Sequence, residues 1–181
     1  MCIRDSTITF NLPEGIYQNA TISIIDAAGN QSDNFIINDF EIDITPPIIT
    51  ISAKDNNSID IFNNTTTNDQ IIYLTFTSSK STSNFEKEDI TITNGILGDL
   101  SGSGTTYTAT FEPKNLEGNF LNETFTISID ENKFTDSAGN NNTSDVFTWT
   151  FDNTPPEIIN SQIDSNNSNL TMNDLVSVII P

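Results

Sequence analysis

The sequence predicts an all-β chain: a two-sheet antiparallel β-sandwich, complete once and flanked by partial copies. Three observations carry this. Apolar residues alternate with Thr, Ser and Asn in short runs, the period-2 signature of strands with one buried face. No longer stretch holds a convincing helical period. The segment Asp43-Ile44-Thr45-Pro46-Pro47 returns as Asp152-Asn153-Thr154-Pro155-Pro156, with Pro155 following Pro46 by 109 residues. That interval suits one sandwich domain of ~100 residues.

Each copy of this segment ends one alternating run and starts another, so each reads as a seam between tandem domains. The seams divide the chain into the C-terminal half of a domain (7–44), a complete domain (45–153) and the N-terminal start of a further one (154–181). Residues 1–6, Met1-Cys2-Ile3-Arg4-Asp5-Ser6, have codons that can spell a transposase end used in sequencing-library adapters. They are read as a non-native scar and set aside. The last residues fall inside an apolar run, 175–180, so both ends read as truncated.

In the first unit Ile8, Phe10 and Leu12 alternate, and Pro13-Glu14-Gly15 suggests a turn. Residues 21–24 form a second strand, and Asp26-Ala27-Ala28-Gly29-Asn30 a loop suited to positive φ. Residues 35–37 and 40–42 supply a last strand that enters the first seam.

The complete unit opens with a strand over 48–52. Prolines suit its start because they cannot donate to a ladder. Residues 56–69 read as polar connection with an apolar patch at Ile59, Ile61 and Phe62. Ile72, Leu74 and Phe76 share one strand face. Residues 78–89 read as a loop carrying Glu86, Glu88 and Asp89. A strand over 90–93 closes at Asn94-Gly95, a tight-turn signal. Ser101-Gly102-Ser103-Gly104 reads as another turn. Tyr107, Ala109 and Phe111 face inward on a strand that Glu112-Pro113 ends. Phe125, Ile127 and Ile129, then Phe147, Trp149 and Phe151, repeat the pattern around the loop Asp136-Ser137-Ala138-Gly139-Asn140. Residues 154–181 restart it: Thr154-Pro155-Pro156 leads to Ile158 and Ile159, and Asn173-Asp174 precedes Val176, Val178 and Ile180 as Asn68-Asp69 precedes Ile72, Leu74 and Phe76. Two strands bury no core, so that piece is expected to be weak alone.

Composition narrows function. The chain has 25 Asp plus Glu against 6 Lys plus Arg, formally −19. Nucleic acid and anionic membrane, which are bound through basic patches, are poor partners. No apolar run reaches transmembrane length, and no signal-peptide pattern is present. There is no His, and Cys2 is the single cysteine, which excludes an intrachain disulfide and removes the commonest general base. Ser and Thr are abundant but have no activating base, so no enzyme is expected. Trp149 sits in an alternating aromatic strand and is expected in the core, not in a sugar platform. Tyr73, opposite Leu74 in register, is expected at the surface.

The loop at 136–140, the aromatic strand behind it and the seam at 152–156 together resemble the bacterial Ig-like domains of large surface and secreted adhesins. Asp89-Ile90-Thr91-Ile92-Thr93-Asn94-Gly95 and the run at 101–111 strengthen the resemblance, which covers essentially everything after Ser6. It implies an Ig-like sandwich, an exported bacterial protein at the cell surface or outside the cell, and a role as a structural spacer. The implied partners are neighbouring Ig-like repeats of the same chain, with a host or surface glycan or protein held by distal domains. A carbohydrate- or partner-binding module, or an accessory domain of an extracellular hydrolase, stands as the alternative.

In such a sandwich the loop between the last two strands lies where the chain enters, as does the loop between the second and third. Asp136 and the group Glu86, Glu88 and Asp89 should therefore gather near Asp43. Ca²⁺ needs ~6–8 oxygen ligands, and the resemblance implies Ca²⁺-stiffened joints. Asp43 and Asp136 would serve the complete joint, Asp26 a joint upstream and Asp152 the next one. The other reading is that each Asp only caps its own turn by accepting backbone N–H groups. Both readings are open at this stage.

Overall fold

The structure, a computed structural model, describes residues 9–114 and 123–155. The expected elements at Ile8 and after Pro155 lie outside the described residues.

Residues 9–44 hold four short strands, β1 (Gly15–Tyr17), β2 (Thr21–Ile22), β3 (Phe35–Ile36) and β4 (Phe40–Ile42). β1 pairs with β4 and β2 with β3, all antiparallel. Phe10 and Leu12 form no strand. Pairing starts instead at Gly15, the expected turn, because Gly15 lies opposite Ile42. The last strand expected across 35–42 is two strands. Between them Ile37 donates to the Ala20 carbonyl at 2.8 Å, and the Asp39 carboxylate accepts the Asn19 N–H at 3.1 Å. These bonds close the far end of one ladder before the other begins. No residue from 9 to 44 is fully buried, and Phe35 and Ile36 are each 72% exposed.

The next unit holds β5 (Ile49–Lys54), β6 (Asp60–Ile61), β7 (Thr65–Thr67), β8 (Ile72–Thr82), a 3-10 turn (Lys87–Asp89), β9 (Ile90–Ile92), β10 (Gly95–Leu97), β11 (Ser101–Pro113), β12 (Glu123–Ile129) and β13 (Asp145–Phe151). One sheet runs β10-β11-β8-β5-β6, and the facing sheet β7-β13-β12-β9. Ile49, Ile51, Ile72, Leu74, Phe76, Phe111, Phe125, Ile127, Ile129, Phe147, Trp149 and Phe151 meet between them. This is the predicted sandwich, with the predicted inward register on every strong strand. Among the described residues no helix is long and apolar enough to cross a membrane.

Four local expectations change. The connection at 56–69 contains β6 and β7, and β7 pairs in parallel with β13, Thr66 opposite Thr150. A Thr-Thr-Thr run carries β-branched propensity but no apolar alternation, so periodicity does not reveal it. β8 continues through the expected loop to Thr82, because Ser78 and Thr82 point inward and are buried. The Ser-Gly-Ser-Gly stretch belongs to β11, which shifts register against β8 between Gly104 and Thr106. Asn94 does turn the chain, at φ 57°, but it carries the chain from one sheet to the other and not around a hairpin.

Gly95 has a packing reason as well. A Cβ there would lie 2.0 and 2.1 Å from atoms of the Phe111 ring, which is fully buried and cannot yield. Gly95→Ala is expected to cost about 1–3 kcal/mol by overpacking, read as a lower denaturant midpoint. An unchanged midpoint would mean that β10 detaches freely from β11.

The outer edge of β5 is guarded. The Asp145 carboxylate accepts the Ile51 N–H at 2.7 Å, and Pro47 O accepts the Thr143 N–H at 3.0 Å. These bonds tie one sheet to the other where β5 lacks a ladder partner, the kind of edge that otherwise recruits foreign strands.

Candidate functional site at the first seam

The loop from β12 to β13 is built on two anchors. Phe134 is buried against Phe85, with ring centroids 5.1 Å apart. The buried Asn142 side chain accepts from the Lys133 and Phe134 N–H groups at 2.7 and 2.9 Å, and donates to the Asp130 and Thr143 carbonyls at 2.9 and 2.8 Å. Its four bonds close the neck of the loop.

At the tip, one Asp136 oxygen accepts the Ala138 and Asn140 N–H groups at 3.0 and 2.9 Å, and the other accepts the Asn140 side-chain amide at 3.0 Å. Gly139 turns the chain at φ 89°, where a Cβ would be strained. The Asp26 loop repeats this geometry. Asp26 accepts from Ala28 at 2.9 Å, from the Asn30 backbone at 2.8 Å and from its side chain at 2.9 Å, with Gly29 at φ 91°. The Asp-x-x-Gly-Asn loop thus carries its own turn.

What differs is the surroundings. Lys80 lies near the end of β8, on the register of the inward-facing Ile72, Leu74, Phe76 and Ser78. At that end of the sandwich the seam covers it. Its ammonium is 2.5 Å from Asp43 Oδ1 and 3.4 Å from Asp136 Oδ2, and it donates to the Thr45 carbonyl. The side chains of Lys80 and Asp43 are 27% and 22% exposed, and that of Asp136 is 1%. Asn140 Nδ2 also reaches the Asp43 carbonyl at 3.0 Å. On the other side of the seam, Thr45 Oγ1 donates to the Glu14 carboxylate, 2.9 and 2.7 Å from its two oxygens. A continuous polar path therefore runs from Glu14 through Thr45, Lys80 and Asp43 to Asp136 and Asn140.

The charges respond to these contacts. Burial alone would push the Asp136 carboxyl up, but the bonds from Asn140, Lys80 and Ala138 outweigh it and hold it below the usual value. Asp26 is also lowered, chiefly by the Asn30 side chain and backbone. Lys80 is raised, first by its bond to Asp43; desolvation opposes this and Asp136 adds to it.

Of the residues the sequence singles out, Asp43 and Asp136 come together. Asp152 accepts the Thr154 N–H at 2.9 Å, as Asp43 accepts that of Thr45 at 3.0 Å. Glu86, Glu88 and Asp89 do not join the seam. Asp89 accepts the Glu86 N–H at 2.9 Å within the 3-10 turn that these residues cap. Sequence reasoning missed Lys80, which it placed in a loop. The available signal was the even-numbered register from Ile72 onward, which Ser78 obscures by being polar.

The joint does not fit Ca²⁺ as arranged. The position between the two carboxylates and the Thr45 carbonyl holds an ammonium, and Asp136 already accepts three N–H bonds from its own loop. Among the described residues no three His, Cys, Asp or Glu side chains group as metal ligands, far from the ~6–8 oxygens Ca²⁺ takes.

The family model described as bacterial Ig-like domain matches residues 43–153. No curated protein and no solved structure matches the chain.

Proposed function

The chain belongs to the bacterial Ig-like domain family, and from that premise we propose that it is a spacer repeat of a large exported, adhesin-like bacterial protein, acting at the cell surface or beyond it. The partners in this reading are the neighbouring repeats of the same chain, and recognition of a host glycan or protein falls to distal domains. The observation that carries it is the polar path across the seam, from Glu14 to Asn140. A linker tied on both sides fixes the angle between successive units, which is what a stalk needs. The strong negative charge of the chain keeps such a stalk soluble and repels similar stalks. The module type is non-catalytic, and the chemistry of this site is ion pairing without a nucleophile or a proton-transfer base.

Glycan- and protein-array screening of the full chain tests this reading. No retention above a scrambled acidic control is expected, together with an elongated scattering profile. Micromolar binding to one glycan class would overturn the spacer role in favour of a recognition module.

A further inference from the structure

The seam places a lysine between the two carboxylates that the resemblance assigned to Ca²⁺. We propose that the Lys80 ammonium is the resident cation of this joint, ordering the linker at 43–45 against the loop at 136–140 without a divalent ion. This rests on the spacer reading, since it explains how the angle between units would be held.

Three observations lead there. First, Lys80 bonds both carboxylates and the Thr45 carbonyl, so one side chain of the sandwich holds two linker residues and the loop. Second, the Asp26 loop forms the same internal bonds as the Asp136 loop, so Lys80 is not needed to shape the loop and its ammonium is free for the linker. Third, lysine is scarce in this chain, and this one stands on the core-facing register of β8 with its side chain mostly covered. A covalently attached cation also does not depend on the surrounding calcium concentration. A joint built on it keeps its order where a calcium-clamped one would slacken.

The test reads the distance between the two units in the full chain. Spin labels are placed at Gln18→Cys and Thr91→Cys, both exposed positions, in a Cys2→Ser background. In chelator a narrow distance distribution is expected, unchanged by millimolar Ca²⁺. Lys80→Gln should broaden it severalfold, and Lys80→Arg, which keeps the charge, should restore most of the narrowing. Circular dichroism melting of the same Lys80→Gln sample checks that the sandwich remains folded. Narrowing of the unsubstituted chain by Ca²⁺, or an unbroadened Lys80→Gln distribution, would overturn the proposal while leaving the spacer reading intact. A broad distribution in both chelator and Ca²⁺ would overturn both. Glycan binding in the array would remove the spacer reading alone.

Discussion

Trp149→Ala is expected to cost about 3–5 kcal/mol, enough to unfold a large share of a marginally stable sandwich. The indole is fully buried. It stacks on Phe125 at 5.5 Å and receives the Phe111 ring edge-on at 4.7 Å. Truncation leaves a cavity between the sheets that these rings, each wedged against further core residues, cannot close. Urea unfolding followed by far-UV circular dichroism measures the loss. Trp149→Phe should behave very differently. The indole Nε1–H finds no hydrogen-bond partner among the described residues, and a buried unpaired donor costs about 1–3 kcal/mol. Phenylalanine gives up some packing but removes that donor, so the net change should stay below about 2 kcal/mol. A loss in Trp149→Phe well above about 2 kcal/mol would mean that the packing given up outweighs the relief of the unpaired donor.

Asp136→Ala should cost about 2–4 kcal/mol, because two loop N–H groups lose their acceptor. Asp136→Asn keeps the shape and removes the charge, and it should cost less. The pH dependence distinguishes the two effects. The Asp136 carboxyl titrates below its ordinary value in the folded chain. A depressed folded pKa contributes stability that is present above the unfolded value and is lost as pH falls through the folded one. The melting temperature of the natural chain should therefore fall as the pH drops below about 4, the ordinary carboxylate value, and that of Asp136→Asn should fall less over the same range. Equal slopes would mean that other carboxylates dominate acid unfolding.

The strong strands were legible because their inward residues are large and apolar: Tyr107, Ala109 and Phe111, or Phe147, Trp149 and Phe151, announce both strand and face. Legibility failed where a strand used polar residues inward or carried no alternation. Ser78 and Thr82 hid the second half of β8, and Thr65, Thr66 and Thr67 hid β7. The site divided the same way. Asp43 and Asp136 stood out through repeated motifs, and sandwich topology brought them together. Lys80 lay in the hidden half of β8, so its place between them could not be read. The reach of Glu86, Glu88 and Asp89 was overread: Glu86 and Asp89 close a short 3-10 turn between themselves, and Glu88 lies within it. The exposed apolar residues of 9–44 show the converse: Phe35 and Ile36 form a continuous apolar strand of core-like composition, yet a two-strand ladder has no second layer to cover them.

The parallel pairing of β7 with β13 has a mechanical consequence. The chain enters at one seam through β5 and reaches β7 after β6, and β13 leads out to the other. Tension applied between the two ends of the unit pulls these neighbours past each other along their length. The pairs from Thr65–Trp149 to Phe151–Thr67, with the Asn64 and Asp152 N–H groups bonded at 2.7 and 3.0 Å at either end, are loaded together in shear. They must fail as a group, like a lap joint, where a hairpin pulled at its open end would unzip one bond at a time.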